Sequence, residues 1–293
     1  MTVSANIIAA YFALTKPRVT PLLLIVTLAT MMVASPDALP LWTTIGTLAG
    51  GALAVGAAGA FNNAIDHNID LSMARTSARP VASGQIPVRN AIIFGWVLTF
   101  LSVSLMLATV NLLATGLTCA AIIYYALIYS KLLKLHTPQN IVLGGAAGAA
   151  PTLIGWAAIT NRLEIPALAL FLLIFCWTPP HFWALALILK DEYKDANVPM
   201  LPVVSGVKAT VTHILIYTMI TVVVSIALIP LFSTGPLYLF ASLFLGSVFV
   251  WLAMRLHSFH SAAVARGLFA YSMLYLALLF LALALDLKTT LLS

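Results

Sequence analysis

The sequence predicts an all-α polytopic membrane protein, a single domain over residues 1–293 crossing the bilayer nine times. Composition is the first reason. Of 293 residues, 62% are hydrophobic and only 8% are charged, against about 25% charged in a soluble domain. Such a chain cannot cover a water-facing surface, so lipid must be its main solvent. Run length is the second. Apolar stretches of the ~20 residues needed to span a bilayer recur along the chain, too long and too uniformly apolar for barrel strands, the only other backbone arrangement that lipid tolerates. The third is the partition of basic residues between the two sides of the membrane.

The spans fall at roughly 18–35, 42–65, 90–110, 112–131, 139–159, 165–189, 209–232, 236–256 and 267–285. The first follows a short, weakly polar arm and "LTKPR". No cleavable signal and no Arg-rich, acid-poor transit segment is evident, which favours a prokaryotic plasma membrane. The fifth carries Gly144, Gly145 and Gly148, a small-residue face suited to close helix packing or, as the lesser reading, to a slot for a flat macrocycle. The sixth contains Pro179 and Pro180, which should kink or break it. Cys119 and Cys176 lie in apolar runs without metal-ligand spacing and read as small buried side chains.

With a cytoplasmic N-terminus, the inner side holds Lys16, Arg18, Arg75, Arg79, Arg89, Lys131, Lys134, Lys190, Lys194, Lys208, Arg255 and Arg266. The outer side holds Arg162 and Lys288. Twelve against two is a positive-inside bias. It accounts for the net charge of +6 by topology, without nucleic acid.

The acids need a different cause. Asp37, Glu164 and Asp286 fall outside, whereas Asp66, Asp70, Asp191, Glu192 and Asp195 form two inner clusters, each at the end of a span. Asn62, Asp66 and Asp70 are spaced i, i+4, i+8, a drift of about 40° per step, so they share a direction if the helix continues. Like charges at that spacing repel unless a cation lies between them. Oxygen-only ligands suggest a hard cation such as Mg²⁺, which keeps waters and bridges carboxylates to substrate phosphates. Arg75 and Arg79 follow the first cluster, and Lys131 and Lys134 end the fourth span on the same side, offering phosphate contacts. Acids for metal, bases for phosphate and apolar walls together imply a diphosphate with a greasy tail. A channel or transporter would instead place its acids near mid-span.

The pattern Asn62-xxx-Asp66-xxx-Asp70 with Asp191-xxx-Asp195 resembles the UbiA superfamily of intramembrane prenyltransferases. The stretches "LTKPRV" (15–20), "RTSARPVASGQI" (75–86), "TPQNIVLGGAAGAAPTLIGW" (137–156), "WTPPHFWALAL" (177–187) and "NVPMLPVVSG" (197–206) are similar to its protohaem IX farnesyltransferase (haem O synthase) family. The resemblance implies nine helices around a lipid-open cavity. It also implies Mg²⁺ as cofactor, and farnesyl diphosphate and haem B as substrates that yield haem O. A downstream haem A synthase or terminal oxidase assembly joins the expected partners.

On that reading Asn62, Arg75, Arg79, Lys131 and Lys134 bind diphosphate, and Asp66, Asp70, Asp191, Asp195 and Glu192 hold the metal. One departure stands in the second motif, which in the family commonly begins Asp-Asp-Tyr and here reads Asp191-Glu192-Tyr193. If a helix persists to Asp195, the pair Asp191/Asp195 is expected to hold the metal; if it ends near Lys190, Glu192 is favoured. His181, inside a span, and Trp177 are candidates for haem contact. Tyr125 and Tyr129, with Tyr124, could line the prenyl path or shield a cation, or belong to the interfacial aromatic belt. His67, His136, His213, His257 and His260 read as structural or interfacial. Two other functions fit parts of the pattern: prenyl transfer to a quinone precursor, and non-enzymatic haem carriage. "PPHF" and "NVPMLPVV" argue against the first, the two acidic clusters against the second.

Overall fold

The computed structural model describes residues 2–35 and 37–290, with side chains described for 7–35 and 37–287; the side chain of Lys288 lies outside these. All regular structure in the described residues is helical: α1 (Thr2–Leu14), α2 (Thr20–Ala34), α3 (Leu41–Ile65), α4 (His67–Leu71), α5 (Val88–Thr109), α6 (Leu112–Ile123), α7 (Asn140–Thr160), α8 (Ile165–Ile188), α9 (Lys190–Asp195), α10 (Leu201–Val204), α11 (Gly206–Phe232), α12 (Pro236–Phe259) and α13 (Ala262–Thr290). α6 continues without a break into a π-helical segment, Tyr124–Leu133.

Eight helices among the described residues are long and apolar enough to cross a membrane. α2, the expected first span, has 15 residues, about 22 Å of helix against a hydrocarbon core of ~30 Å. It starts late because Lys16 takes a left-handed conformation (φ 55°) and turns the chain, with the Val19 and Thr20 N–H groups both returning to the Lys16 carbonyl. The expected arm before it is a helix, α1, which packs on α3 through Ala10, Leu14, Ala60 and Ala64. Gly59 permits this approach, since a Cβ there would sit 2.4 Å from the Leu14 carbonyl oxygen.

Successive long helices alternate in direction and pack on their chain neighbours, and α13 closes the bundle against α2 and α8. Large side chains such as Trp96, Phe100, Phe240 and Phe244 face outward, as lipid requires. Thr27, Thr30, Thr47, Thr118 and Thr218 return their hydroxyls to the carbonyl four residues back, so these five donors are satisfied within their own helices. Pro179 and Pro180 do not break α8, which runs helical from Ile165 to Ile188. Both prolines are buried in the bundle, where neighbouring helices tolerate a weakened turn.

At the end opposite the acidic motifs, buried Asp286 on α13 accepts the backbone N–H groups of Gly235 and Leu237 at the start of α12. The carboxylate thus satisfies two helix-terminal donors and meets the positive end of the helix dipole. Asp286→Ala should lower stability by about 1–2 kcal/mol and leave activity near wild type; thermal unfolding in detergent checks this.

Candidate active site

The first motif lies where α3 hands over to α4. Asp66 leaves helical geometry (φ −85°, ψ 0°), yet its N–H still bonds the Asn62 carbonyl and its own carbonyl takes the Asp70 N–H. The turn therefore carries through, and Asn62, Asp66 and Asp70 are all buried. Each aspartate has its own cation. Lys134 Nζ lies 2.6 Å from Asp66 Oδ2, and one Arg79 nitrogen reaches both Asp70 oxygens at 2.8 and 2.9 Å. Asp66 and Asp70 are 1% and 2% exposed, so these counter-charges replace the hydration that burial removes.

Asn62 organises the floor of this site. Its Nδ2 donates to Asp66 Oδ2 at 2.6 Å and to Ser130 Oγ at 3.0 Å. Its Oδ1 accepts from Lys16 Nζ at 2.8 Å. Lys16 also donates to the Tyr125 hydroxyl at 2.7 Å, and the Tyr125 ring stacks on Tyr129 at 5.4 Å. Three cationic side chains and two carboxylates thus meet a pair of phenol rings at one end of the bundle.

Asp66 Oδ2 takes two short bonds, whereas Oδ1 is buried and takes none. An unpaired buried acceptor costs about 1–3 kcal/mol, so the site is complete only with a further donor or cation. Among the described residues no three His, Cys, Asp or Glu side chains converge as a metal cage. One open carboxylate oxygen amid all-oxygen donors suits a Mg²⁺ that draws its remaining ligands from water and phosphate.

The second motif is divided by a break. α8 ends at Ile188, Leu189 leaves helical geometry (φ −102°, ψ 22°), and α9 restarts at Lys190. This interruption turns Asp191 and Asp195 outward, where both are exposed, and leaves Glu192 half-buried. Glu192 Oε2 accepts the Arg75 N–H at 3.3 Å, joining the two motifs. The geometry therefore follows the alternative in which the helix ends near Lys190, and it favours Glu192 over the aspartate pair. The buried Tyr193 lies beside Arg75; burial pushes its phenol up from the ordinary tyrosine value, and the guanidinium acts against that.

Of the two lysines expected at the end of the fourth span, the structure brings in only Lys134, and Lys131 is exposed. His181 is buried between Trp177 and Phe269, with ring centroids at 4.4 and 4.5 Å. Its Nδ1 is bound to Ser272 Oγ at 2.7 Å, and Trp177 Nε1 donates to the Ser272 carbonyl. Nε2 is left as the ring's other nitrogen. His67, His136 and His213 bond nearby backbone carbonyls. Gly144 and Gly145 make close contacts, with Tyr129 and Thr178, while a Cβ at Gly148 would meet open space. Lys16, Ser130, Tyr193, Phe269 and Ser272 contact the candidate residues and are not singled out from sequence. Two of them carry a signal in the sequence: Lys16 as part of "LTKPRV" and Tyr193 as part of the second motif.

Comparison with known proteins extends this picture. Residues 23–279 match the model of the UbiA prenyltransferase family. A protoheme IX farnesyltransferase of Picosynechococcus is 47% identical over 282 residues, 96% of this chain and 89% of that protein. Those of Trichormus variabilis and Synechocystis are 46% and 47% identical over 96% and 94% of this chain, and 89% and 88% of theirs. Among solved structures, a digeranylgeranylglyceryl phosphate synthase superposes with a TM-score of 0.81 at 18% identity, covering 97% of this chain and 99% of that one. A UbiA homologue from Archaeoglobus fulgidus bound to GPP and Mg²⁺ gives 0.66 at 17% identity, covering 96% and 99%; likeness at that identity speaks for the fold. Helical architecture, paired acidic motifs and family match agree: this chain belongs to the UbiA prenyltransferase family.

Proposed function

We propose that this protein transfers the farnesyl group of farnesyl diphosphate to a vinyl group of haem B, with addition of water, to make haem O and diphosphate. The observation that carries this is the 47% identity, over nearly the whole chain, to a protoheme IX farnesyltransferase, in a molecule whose buried acids and bases suit a diphosphate. Asp66, Asp70 and Glu192 would hold Mg²⁺, which when bound offsets charge growing on the leaving diphosphate. Lys134, Lys16 and Arg79 add fixed positive charge at the same end, where partial burial makes it count for more than in water, and the exposed Arg75 adds a screened charge beside Glu192. Breaking the farnesyl C–O bond leaves an allylic cation. The Tyr125 and Tyr129 ring faces stabilise it, and apolar walls keep water away. The vinyl group attacks C1 of the farnesyl chain, and water adds to the resulting cation with loss of a proton.

His181 is the haem contact in this reading, held through Nδ1 by Ser272 and flanked by Trp177, with Nε2 the nitrogen that would meet iron or a propionate. An axial bond is not required, since the vinyl group reacts. The test supplies membranes with farnesyl diphosphate, Mg²⁺ and haem B. The mass of haem O supports the reading; prenylation of a quinone precursor instead, or haem retained unmodified, refutes it.

Nine crossings, with α2 as a short first span, and a cytoplasmic N-terminus complete the proposal, in the plasma membrane of a prokaryote with the active site on the cytoplasmic side. The basic residues support this orientation. Single cysteines replacing Ser83 and Ser205 should label only from the inside; labelling of either from outside intact cells would refute it. Delivery of haem O to a haem A synthase or an assembling terminal oxidase is the expected next step.

A further inference from the structure

The π-helical segment Tyr124–Leu133 is rare geometry, and π-turns gather at functional sites. Its register decides which side chains reach the site. The Lys134 N–H bonds the Tyr129 carbonyl, five residues back, at 2.9 Å. A π-helix turns by only about 82° per residue, against about 100° for an α-helix. Relative to Tyr125, an α-helix would place Tyr129, Ser130 and Lys134 at roughly 40°, 140° and 180°. The π register places them at roughly −30°, 50° and 20°. So the wider turn moves Ser130 and Lys134 from the far side of the helix to the face that carries Tyr125 and Tyr129. The contacts agree: Tyr125 meets Lys16, Ser130 meets Asn62, and Lys134 meets Asp66. Lys131, at about 130° in the same register, is exposed.

Ser130 joins this register to the acidic motif. It is 1% exposed. Its hydroxyl donates to the Tyr125 carbonyl at 2.9 Å, five residues back, where a serine in an α-helix bonds three or four back. The same oxygen accepts from Asn62 Nδ2. Elsewhere the segment is keyed to α7. The Tyr124 hydroxyl donates to the Leu143 carbonyl, and Asn140 Nδ2 donates to the Lys134 carbonyl. The Tyr129 ring occupies the space at Gly144, where a Cβ would lie 2.4 Å from it.

We infer that Ser130 is a positioning residue: its hydroxyl locks the π register that delivers Lys134, and aligns Asn62 with Asp66, so that both arms of the diphosphate site are set by one side chain. This deepens the proposed function and rests on that end of the bundle binding a prenyl diphosphate.

Ser130→Ala and Ser130→Thr test it in the purified full-length protein. The alanine variant should raise KM for farnesyl diphosphate about tenfold, the worth of one such hydrogen bond, and leave KM for haem B unchanged. Threonine, which keeps the hydroxyl, should return it to within about threefold. Protection of the protein against heat by Mg²⁺ and farnesyl diphosphate should follow the same order. That binding readout separates the two claims, because it measures the effect of Ser130 even if the wild-type protein makes no haem O. An alanine variant with wild-type KM and protection, an equal loss toward both substrates, or equal impairment of alanine and threonine variants would each overturn the inference. If the alanine variant does not fold, Ser130→Cys, a weaker hydrogen-bonding near-isostere, takes its place under the same criteria.

Discussion

Asp66→Asn is expected to lower turnover at least a hundredfold while the protein still inserts and folds. The substitution keeps the shape of the side chain and removes its charge. In the native site that charge is buried, bound through one oxygen by Asn62 and Lys134, with the other oxygen open. Loss of the charge weakens the hold on a cation and leaves Lys134 without its counter-ion. Groups that stabilise developing charge in a water-poor site are typically worth about 10²–10³ in rate when one is removed. Haem O production from purified variant, beside a folding check by thermal unfolding, measures this. Near-normal production would remove Asp66 from the metal site.

The second large effect is expected at Lys134, and its neighbour is the control. Lys134→Ala should reduce kcat/KM for farnesyl diphosphate by about 10²-fold or more, because its side chain is only 11% exposed and is directed onto Asp66. Lys131→Ala should stay within about threefold of wild type, since an exposed charge is screened by solvent. By position the two lysines look alike, three residues apart at the end of one span. The π register separates them. Equal losses in the two variants would contradict the arrangement described above.

That pair also shows where sequence is informative and where it is not. Span positions were legible because crossing a bilayer demands length and apolarity, both local properties; α7 and α8 lie within one residue of their expected bounds. The first motif was legible because i, i+4, i+8 survives a small change of pitch at Asp66. The π segment was not, since "YYALIYSKLL" carries no compositional mark of an i→i+5 register, and an α-helical reading points Ser130 and Lys134 away from Tyr125. The second motif depended on whether a helix continued past Lys190. One residue of non-helical backbone, at Leu189, leaves Asp191 and Asp195 exposed and Glu192 half-buried. Lys16 reads from sequence as a topological charge within "LTKPRV"; its left-handed turn and its reach to Asn62, 46 positions on, are tertiary facts. Ser272 and Phe269 sit in a generic apolar helix about 90 positions from His181; nothing local to "LFAYSML" announces that they hold an imidazole.

The most direct measurement is the stoichiometry of products from purified protein given farnesyl diphosphate and haem B, with Mg²⁺ or with EDTA. Haem O and diphosphate should appear in equal amounts with Mg²⁺, and neither should appear with EDTA or in Asp66→Asn. Haem O formed without Mg²⁺, or diphosphate released without haem O, would contradict a single site in which Asp66, Lys134 and their neighbours couple loss of diphosphate to attack by the haem vinyl group.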